Sequence, residues 1–327
     1  MDGDFSFFGM SNATLNETNS FPCPSLPIKV TSLPYTSTPT TQIVTLLTCI
    51  INGISCPVAI MENLLVFMVV LRKRNLRTVF NTSVLCLAFT DLLTAMFIQP
   101  AFIAYQTEKY ISGTYACVPY FIKTVFEFWC VGLSFVTLAL ITLERYVAVF
   151  KPYLYRASVT RVRVILVIFI GWLVWSVFSF SLRFSSVGMK LKAYSILSSI
   201  LITFTLLETI FVYMRLYKVT RIKDRPITQV NNTSDQDQNR AIDDLETKAT
   251  HTILTITGAF FLCFIPTLCA SIVHQAAAVK DDVMLHVIYP LAECALFLTA
   301  LVNPAIYVWR NASVRDSLKE FTKFTSK

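Results

Sequence analysis

Long apolar runs, separated by short polar segments, dominate the 327 residues of this chain. Seven runs have about the 20 residues that a helix needs to cross a hydrocarbon core of about 30 Å. Backbone at membrane depth must satisfy its own hydrogen bonds, which favours helices. The pattern predicts an all-α membrane protein, a seven-transmembrane helix bundle over residues 43–308. The predicted spans, numbered one to seven along the chain, cover about 43–71, 79–106, 116–147, 162–182, 193–217, 249–275 and 283–308.

The two segments outside the bundle differ in character. Residues 1–42 are polar and rich in Ser, Thr and Pro, and they carry glycosylation sequons at Asn12 and Asn16, which predicts an extracellular, glycosylated tail. Residues 309–327 contain "VRDSLKEFTKF", whose apolar and basic positions separate onto two helix faces. This segment is predicted to form a short amphipathic helix on the inner leaflet, followed by a short cytoplasmic tail. The apolar face would hold Val314, Leu318 and Phe321, and the basic face Arg315, Lys319 and Lys323.

Composition and charge agree with a membrane location. Only 15% of the residues are charged, whereas ordinary soluble domains carry about a quarter. The net charge is +8, and the basic cluster "LRKR" at 71–74 follows span one directly. Basic residues concentrate on the cytoplasmic side of membrane proteins. We therefore predict a multi-pass plasma membrane protein with an extracellular N-terminus, in contact with anionic membrane lipids and cytoplasmic partners and not with nucleic acid.

Among the polar residues inside predicted spans, where an uncompensated charge is unfavourable, four predict one common site. Asp91 is near the middle of span two, and Asn63, Ser134 and Asn303 lie in spans one, three and seven. In a bundle, the three neutral side chains can converge on the carboxylate. Two interpretations overlap, because the same oxygens suit a structural polar cluster or a site for a sodium ion or a proton.

Several short motifs follow one another along the spans. They are Asn63 followed by Leu64, Leu65 and Val66; "LAFTD" ending at Asp91; "ERY" at 144–146; Trp172; Tyr213; "CFIP" at 263–266; and "NPAIY" at 303–307. Together, in this order and each in its proper span, they are highly specific, and they resemble the motifs of the rhodopsin-like (class A) G protein-coupled receptors. The absence of several usual features also gives the chain a loose resemblance to the melanocortin, cannabinoid and lysolipid receptor group.

The resemblance implies a switch at the cytoplasmic end of the bundle. Arg145 would pair with Glu144 and with Glu246 of span six while the receptor rests, and outward movement of span six would free it for a heterotrimeric G protein. The alternative is that Glu246 and Arg145 only cap two helix ends. The implied residues for coupling and switching are Glu144, Arg145, Tyr146, Pro152, Tyr153, Tyr213, Glu246, Asn303, Pro304 and Tyr307, with an aromatic lever of Phe260, Phe264 and Pro266.

The cysteines depart from the family pattern. Tyr120 stands where relatives carry the cysteine of span three, and the following outer loop, 183–195, contains none. The usual bridge therefore cannot form. Cys23 and Cys117 are the two cysteines predicted to lie outside the membrane, and a bridge between them would suit an oxidising compartment.

Acidic residues mark the predicted ligand site in the outer half of the bundle. Glu127 occupies the position at which amine receptors carry an Asp, but Lys123 lies one turn earlier and can neutralise it. Glu293 adds a second acid, and span seven has no Lys for a retinal Schiff base. An amine ligand loses support because Thr267 and Leu268 stand where amine receptors carry aromatic residues, and because Phe297 replaces the Tyr that closes over the amine. A small molecule, lipid or peptide remains open. The predicted ligand site comprises Lys123, Glu127, Phe128, Val131, Thr267, His274, Tyr289, Glu293 and Phe297.

Other function classes fit less well. The three His residues have no metal-ligand spacing, and no nucleophile with a base is evident, so we expect no enzyme, no cofactor and no metal beyond sodium near Asp91. Transporters favour repeated halves, which the sequence lacks. We predict a cell-surface receptor that activates a heterotrimeric G protein in response to an unidentified extracellular ligand. The alternative is a seven-helix protein that binds ligand without signalling.

Overall fold

The computed structural model describes the chain in several stretches, and most of it is helical. Among helical residues, the side chains at 182–184, 234–246, 271, 274–275, 281 and 321–325 are outside the description. A short antiparallel pair of strands, Ser20–Pro22 with Lys29–Thr31, precedes the first helix. The described stretches are 20–22, 29–31, 37–113, 117–184, 203, 207, 210–215, 217–218, 234–275 and 281–325.

Six helices among the described residues are long and apolar enough to cross a membrane. Predicted span five, 193–217, lies largely outside the described residues. The helix of span six is much longer than its predicted range, because it begins at Ser234, before the apolar run. The crossing helices, called spans one, two, three, four, six and seven below, cover Pro39–Arg72, Val79–Ser112, Cys117–Phe150, Arg161–Ser181, Thr247–Ala270 and Met284–Arg310.

Within the described stretches, four shorter helices flank the spans. A single 3₁₀ turn, Arg74–Leu76, joins spans one and two, and the helix Pro152–Ser158 joins spans three and four. The turn of helix Asp281–Val283 precedes span seven, and the helix Ala312–Thr325 follows it. The helix of span four continues to Phe184 beyond its most apolar part.

Local sequence explains where span one begins and where span two ends. The Thr38 hydroxyl accepts a hydrogen bond from the Thr41 backbone N–H, and the Thr41 hydroxyl accepts one from the Thr38 N–H in return. This reciprocal cap satisfies two backbone donors at the start of span one, and Pro39 occupies the first turn. Gly113 ends span two with a left-handed φ of 64°, a conformation that glycine adopts without steric strain.

Two π-helical turns interrupt spans two and seven, and the hydrophobic pattern gives no sign of them. The first, Thr94–Ile98, precedes Pro100, and the second, Met284–Ile288, precedes Pro290. Proline lacks an N–H, and its ring clashes with the carbonyl four residues earlier in a regular helix. The wider π turn, in which the Gln99 N–H donates to the Thr94 carbonyl, accommodates that ring within a continuous span.

Spans three and four pack closely at Gly132, where the missing side chain lets Trp175 approach. The Trp175 ring lies directly against Gly132, where an added Cβ would be 1.8 Å from a ring carbon. Its indole N–H donates to the Trp129 carbonyl at 3.0 Å. A second tryptophan, Trp172, donates to the Thr137 hydroxyl at 2.8 Å. These bonds fix span four against span three.

The half of the bundle that is predicted to face the cytoplasm, called the cytoplasmic half below, contains a large apolar cluster, and the opposite half, called the outer half, carries a buried polar layer. Apolar side chains of spans one, two, three, six and seven form one core cluster. In the outer half, the Gln99 amide donates to Asn52 at 3.3 Å and to Ser55 at 3.2 Å. Many large apolar side chains are exposed on the outside, among them Ile43, Phe169 and Leu262, as a surface that faces lipid requires.

Candidate ligand-binding and signalling sites

Arg145, at the cytoplasmic end of span three, is completely buried. Its Nε donates to Glu144 Oε2 at 2.8 Å, and its Nη2 also contacts Glu144 Oε1. A buried guanidinium needs such charged partners, because an unpaired charge in this environment is strongly unfavourable. The structure therefore places the predicted pair of Arg145 and Glu144 together. The side chain of Glu246, the second predicted partner, lies outside the described residues.

Tyr155 is a further partner of this pair, and the sequence motifs gave no indication of it. The Tyr155 hydroxyl accepts a hydrogen bond from Arg145 Nη2 at 2.7 Å and donates one to Glu144 Oε1 at 2.6 Å. The Arg145 guanidinium also lies 5.4 Å from the centre of the Phe80 ring and 5.6 Å from that of Tyr155. The helix between spans three and four thus helps to hold the arginine.

The predicted tyrosines of the cytoplasmic half lie in different environments. Tyr307 is completely buried in the core cluster, with its ring centre 6.2 Å from that of Phe80. Tyr146 packs on Phe150 with ring centres 4.5 Å apart. Tyr213 is half-buried and packs in the same small cluster as Tyr146, formed around Val212 and Leu254. The structure therefore places Tyr213 and Tyr146 together near spans three and six.

The loop after span three presents an apolar surface. Tyr153 is 90% exposed, and Pro152 and Leu154 beside it are exposed as well. Large exposed apolar side chains at a cytoplasmic position are typical of a contact surface. The contact of Pro152 and Tyr153 with the G protein stays a prediction.

A small cavity, about the size of one water molecule, lies beside Asp91. The Asn303 amide donates to both Asp91 oxygens at 3.3 and 3.1 Å. Asn63, which lines the same cavity, donates to the Ala300 carbonyl at 2.9 Å. The amide oxygens of Asn63 and Asn303 are buried without a hydrogen-bond partner. Carboxylate and amide oxygens around one small cavity fit a hard cation.

Ser134 and Pro304 take different places around this cavity. Ser134 donates to the Thr90 hydroxyl at 3.0 Å, one residue before Asp91, and is not among the described residues that line the cavity. Pro304 lines it next to Asn303. The structure therefore brings Asn63, Asp91 and Asn303 together and places Ser134 beside them.

The predicted aromatic lever is packed against span three. The Phe135 ring meets Phe260 and Phe264 edge-on, each at 4.8 Å between centres. Phe260 and Phe264 are both buried, one turn apart, and Pro266 lies within the same helix. Phe135 was not predicted as part of this group, because its contact with span six depends on how the helices are arranged.

Three of the predicted ligand-site residues form an ion cluster, which we call the outer triad: Lys123, Glu127 and Glu293. The Lys123 ammonium lies 2.5 Å from Glu293 Oε1 and 3.4 Å from Glu127 Oε2. The side chains are only 13%, 15% and 12% exposed, for Lys123, Glu127 and Glu293 respectively. The expected local neutralisation of Glu127 is present, but the shorter contact joins span three to span seven.

The other predicted ligand-site residues mostly contact neighbouring helices. Phe128 packs on Trp175 with ring centres 5.1 Å apart, and Thr267 donates to the Ala292 carbonyl at 3.3 Å. Tyr289 is buried in a cluster with Ala270. Val131 packs against the main core cluster, Phe297 is completely buried against Phe102, and the His274 side chain lies outside the described residues.

Lys109 near the outer end of span two was missed from the sequence. Its side chain is completely buried, and its ammonium interacts electrostatically with Glu293 and with Lys123. A lysine so close to the end of an apolar run resembles an ordinary flanking charge. Only the helix arrangement reveals that it faces the outer triad.

Cys117, at the start of span three, is disulfide-bonded. Seven of the nine cysteines in the chain are described as free. Cys23 is the cysteine that is left, and it lies outside the described residues, as do the sequons at Asn12 and Asn16. The pairing of Cys117 with Cys23 therefore stays a prediction.

The helix Ala312–Thr325 lies against the cytoplasmic end of the bundle. Val314 is completely buried and Leu318 packs against the core cluster. Lys73 contacts Glu320 at 2.7 Å, which ties this helix to the end of span one. The described part of the helix thus has the predicted amphipathic character. The side chains of Phe321 and Lys323 lie outside the described residues.

Comparison with known proteins gives a consistent result. Residues 62–307 match the family described as "7 transmembrane receptor (rhodopsin family)". The chain is 26% identical to the human histamine H2 receptor over an alignment of 286 positions, and the alignment covers 80% of this chain and 76% of that receptor. It is 25% identical to octopamine receptor beta-2R of Chilo suppressalis, over 80% of this chain and 75% of that receptor. It is 24% identical to mouse trace amine-associated receptor 1, over 79% of this chain and 82% of that receptor.

The family match covers about three quarters of the chain and includes predicted span five. It confirms the predicted fold class, a seven-helix membrane bundle, and the predicted resemblance to class A receptors. It also assigns the chain to signalling receptors and not to enzymes. The placement near melanocortin, cannabinoid and lysolipid receptors stays a prediction. The chain belongs to the rhodopsin family of seven-transmembrane, G protein-coupled receptors.

Proposed function

We propose that this receptor acts at the plasma membrane, with its N-terminus outside, and activates a heterotrimeric G protein by outward movement of span six. The observation that carries the proposal is the completely buried Arg145, held by Glu144 and Tyr155 at the cytoplasmic end. A charge held in this way is stable at rest and becomes available to a partner only when its neighbours move. The exposed Tyr153 beside it adds an apolar contact for that partner.

Two states of such a receptor must differ by only a few kcal/mol for a ligand to shift the balance between them. The contacts of Glu144 and Tyr155 hold Arg145 within span three and the following loop. Glu246 in the helix of span six would supply the link that breaks on activation. Tyr213 already packs beside span six residue Leu254 and would support the outward position, with Tyr307 from span seven.

The decisive experiment measures agonist-free activation of a panel of G protein biosensors at matched surface expression. Glu246→Ala should raise the signal, because it removes the link between spans three and six. Arg145→Ala should abolish it, because the G protein loses its contact. Asp244→Ala, which removes an acid two residues earlier in the same helix, is the matched control and should leave the signal unchanged. An unchanged baseline in Glu246→Ala would contradict the link.

The alternative function is a seven-helix protein that binds ligand and does not signal. The biosensor experiment separates the two functions. Silence of the wild type, Glu246→Ala and Arg145→Ala, at good surface expression, would favour the alternative. The intact arrangement of Arg145, Glu144 and Tyr155 supports signalling, because a protein that only binds ligand has no use for a buried cation at its cytoplasmic end.

We propose a sodium ion as an allosteric ligand beside Asp91. The Asp91 carboxylate and the amide oxygens of Asn63 and Asn303 would hold it, with Ser134 nearby. The bound ion would neutralise the carboxylate and stabilise the contact between spans two and seven. Thermal unfolding of the purified receptor tests the site: sodium should stabilise the wild type more than potassium does, and Asp91→Asn should remove the difference.

The ligand is proposed to be a small molecule that binds in the outer half of the bundle. The relatives named above are receptors for histamine, octopamine and trace amines, which supports a ligand with a charged nitrogen. In this chain neither acid is free to bind an amine, because Glu127 and Glu293 already contact Lys123. A lipid or peptide ligand would remain if small charged ligands failed to bind.

A further inference from the structure

The outer triad places one cation between two anions. Lys123 lies 2.5 Å from Glu293 and 3.4 Å from Glu127, and the two carboxylates are close enough to interact with each other. The Lys123 ammonium therefore takes the place at which an ammonium group of a ligand would meet these acids. A ligand can reach either carboxylate only by changing the contacts of Lys123.

Lys109 completes the charge balance of this region. Lys109 lies in span two, and its ammonium interacts electrostatically with Glu293 of span seven. Lys109 and Lys123 supply two positive charges, and Glu127 and Glu293 supply two negative ones. From the sequence, Lys123 was the one lysine expected beside these two carboxylates. The structure replaces that picture with a balanced group of charges.

The layer directly below the triad is apolar. Cys130 lies one turn below Glu127, and Phe297 lies one turn below Glu293, and both are buried in one cluster with Ile98. Charges above such a layer are poorly screened by water, so each charge there needs a partner.

This balance decides which kinds of ligand can enter. A simple cation at Glu293 would leave Lys123 with Glu127 and would add a third positive charge to two negative ones. A simple anion at Lys123 would compete with both carboxylates for one ammonium and would add a third negative charge to two positive ones. A ligand with both charges can exchange partners, with its ammonium on Glu293 and its anionic group on Lys123. Every buried charge then stays paired, which avoids the penalty of leaving one alone.

We propose that the outer triad binds small ligands that carry both an ammonium and a carboxylate group, as free amino acids do, and that Lys123 excludes simple amines. This inference rests on the proposed receptor function only in placing the ligand in the outer half of the bundle. Lys123 is the residue that determines specificity, because it both occupies the acids and receives the ligand carboxylate.

The test uses three matched series of probes on the purified full-length receptor. The first series is the free amino acids with aromatic and aliphatic side chains. The second is the corresponding amines without the carboxylate, and the third is the corresponding acids without the ammonium; phenylalanine, phenethylamine and 3-phenylpropanoate form one such set. Binding is measured as a shift of thermal unfolding, because a ligand that binds only the folded state stabilises it.

At least one amino acid should stabilise the wild type. Its matched amine and matched acid should bind roughly thirtyfold more weakly or worse, because each loses one of two buried charge pairs. Lys123→Met should reverse this preference, so that the amine binds more tightly than the amino acid. The variant leaves Glu127 and Glu293 free to bind an ammonium, and it removes the cation that would bind the carboxylate of the amino acid. Lys123→Arg keeps the positive charge and should retain the wild-type preference.

Several results would overturn the proposal. It is wrong if simple amines stabilise the wild type as well as amino acids do, or if no probe stabilises the wild type. It is also wrong if Lys123→Met shows no gain for amines. If Lys123→Met reaches the cell surface poorly, the matched amine in the culture medium should restore its surface level, and failure of this rescue counts against the proposal. The unfolding assay contains no G protein, so its failure is distinct from a failure of signalling.

Discussion

The close approach of Trp175 to Gly132 allows a quantitative prediction about the contact between spans three and four. A Cβ at position 132 would lie 1.8 Å from Trp175 Cε2, whereas carbon atoms pack best at about 3.5–4.0 Å. The ring would therefore have to retreat by roughly 2 Å. It cannot do so freely, because it donates to the Trp129 carbonyl at 3.0 Å and packs on Phe128 and Phe178.

The expected loss of stability follows from these contacts. Overpacking of a well-filled core costs about 1–3 kcal/mol, and loss of the indole hydrogen bond adds about 0.5–1.5 kcal/mol. Gly132→Ala should therefore destabilise the receptor by about 1.5–4.5 kcal/mol. The assay is thermal unfolding of the purified receptor, together with its surface expression in cells.

Two control variants make the result specific. Gly258→Ala is matched, because Gly258 lies within the helix of span six and an added Cβ there meets no atom within 4 Å. It should be neutral or stabilising, since alanine favours helix by up to about 1 kcal/mol over glycine. Trp175→Leu should make Gly132→Ala less harmful than it is in the wild type, because the two sites are in contact. Equal stability of Gly132→Ala and the wild type would refute the reasoning.

Three further predictions concern the ends of the bundle. Tyr155→Phe should raise agonist-free signalling in a biosensor assay at matched expression, because it removes both hydrogen bonds of the hydroxyl; a wild-type baseline would contradict it. The hydrogen bond and the charge of Lys73 lower the pKa of Glu320 from its ordinary 4.5, so the contact is stabilising at neutral pH and is lost as the pH falls through the lowered value. Lys73→Met should raise that pKa in an NMR titration, and an unchanged pKa would disprove the pairing. Mass spectrometry without reduction should find peptides of Cys117 and Cys23 linked, and any other partner for Cys117 would refute this pairing.

The membrane spans could be predicted from the sequence because a helix that crosses lipid needs a continuous apolar run of known length. Span four shows this well, with a predicted range of 162–182 and an observed helix of 161–184. The start of the helix that contains span six could not be predicted, because this helix extends from the apolar run back into the polar segment to Ser234. The π turns before Pro100 and Pro290 were also missed, since the apolar pattern continues across them.

Contacts between residues close in sequence could be predicted, whereas most contacts between helices could not; the cluster of Asn63, Asp91 and Asn303 is an exception, because polar side chains inside apolar spans need each other as partners. Glu144 and Arg145 are adjacent, so their pairing is a local property of the sequence. Tyr155 lies ten residues further on, and its bonds depend on the turn after span three. Lys123 was predicted to pair with Glu127, yet its shortest contact is with Glu293, 170 residues away.

Span seven connects the outer triad with the cytoplasmic half of the receptor. Glu293, which contacts Lys123, lies ten residues before Asn303, about 15 Å along a helix. Asn303 in turn donates to Asp91 of span two. Tyr307, one turn after Asn303 in the same helix, packs on Phe80 of span two. A ligand shifts a receptor only as far as its contacts differ between two states. On the proposed mechanism, exchange of Lys123 for a ligand ammonium at Glu293 changes the tie between spans three and seven, on the same helix that holds Asn303 and Tyr307.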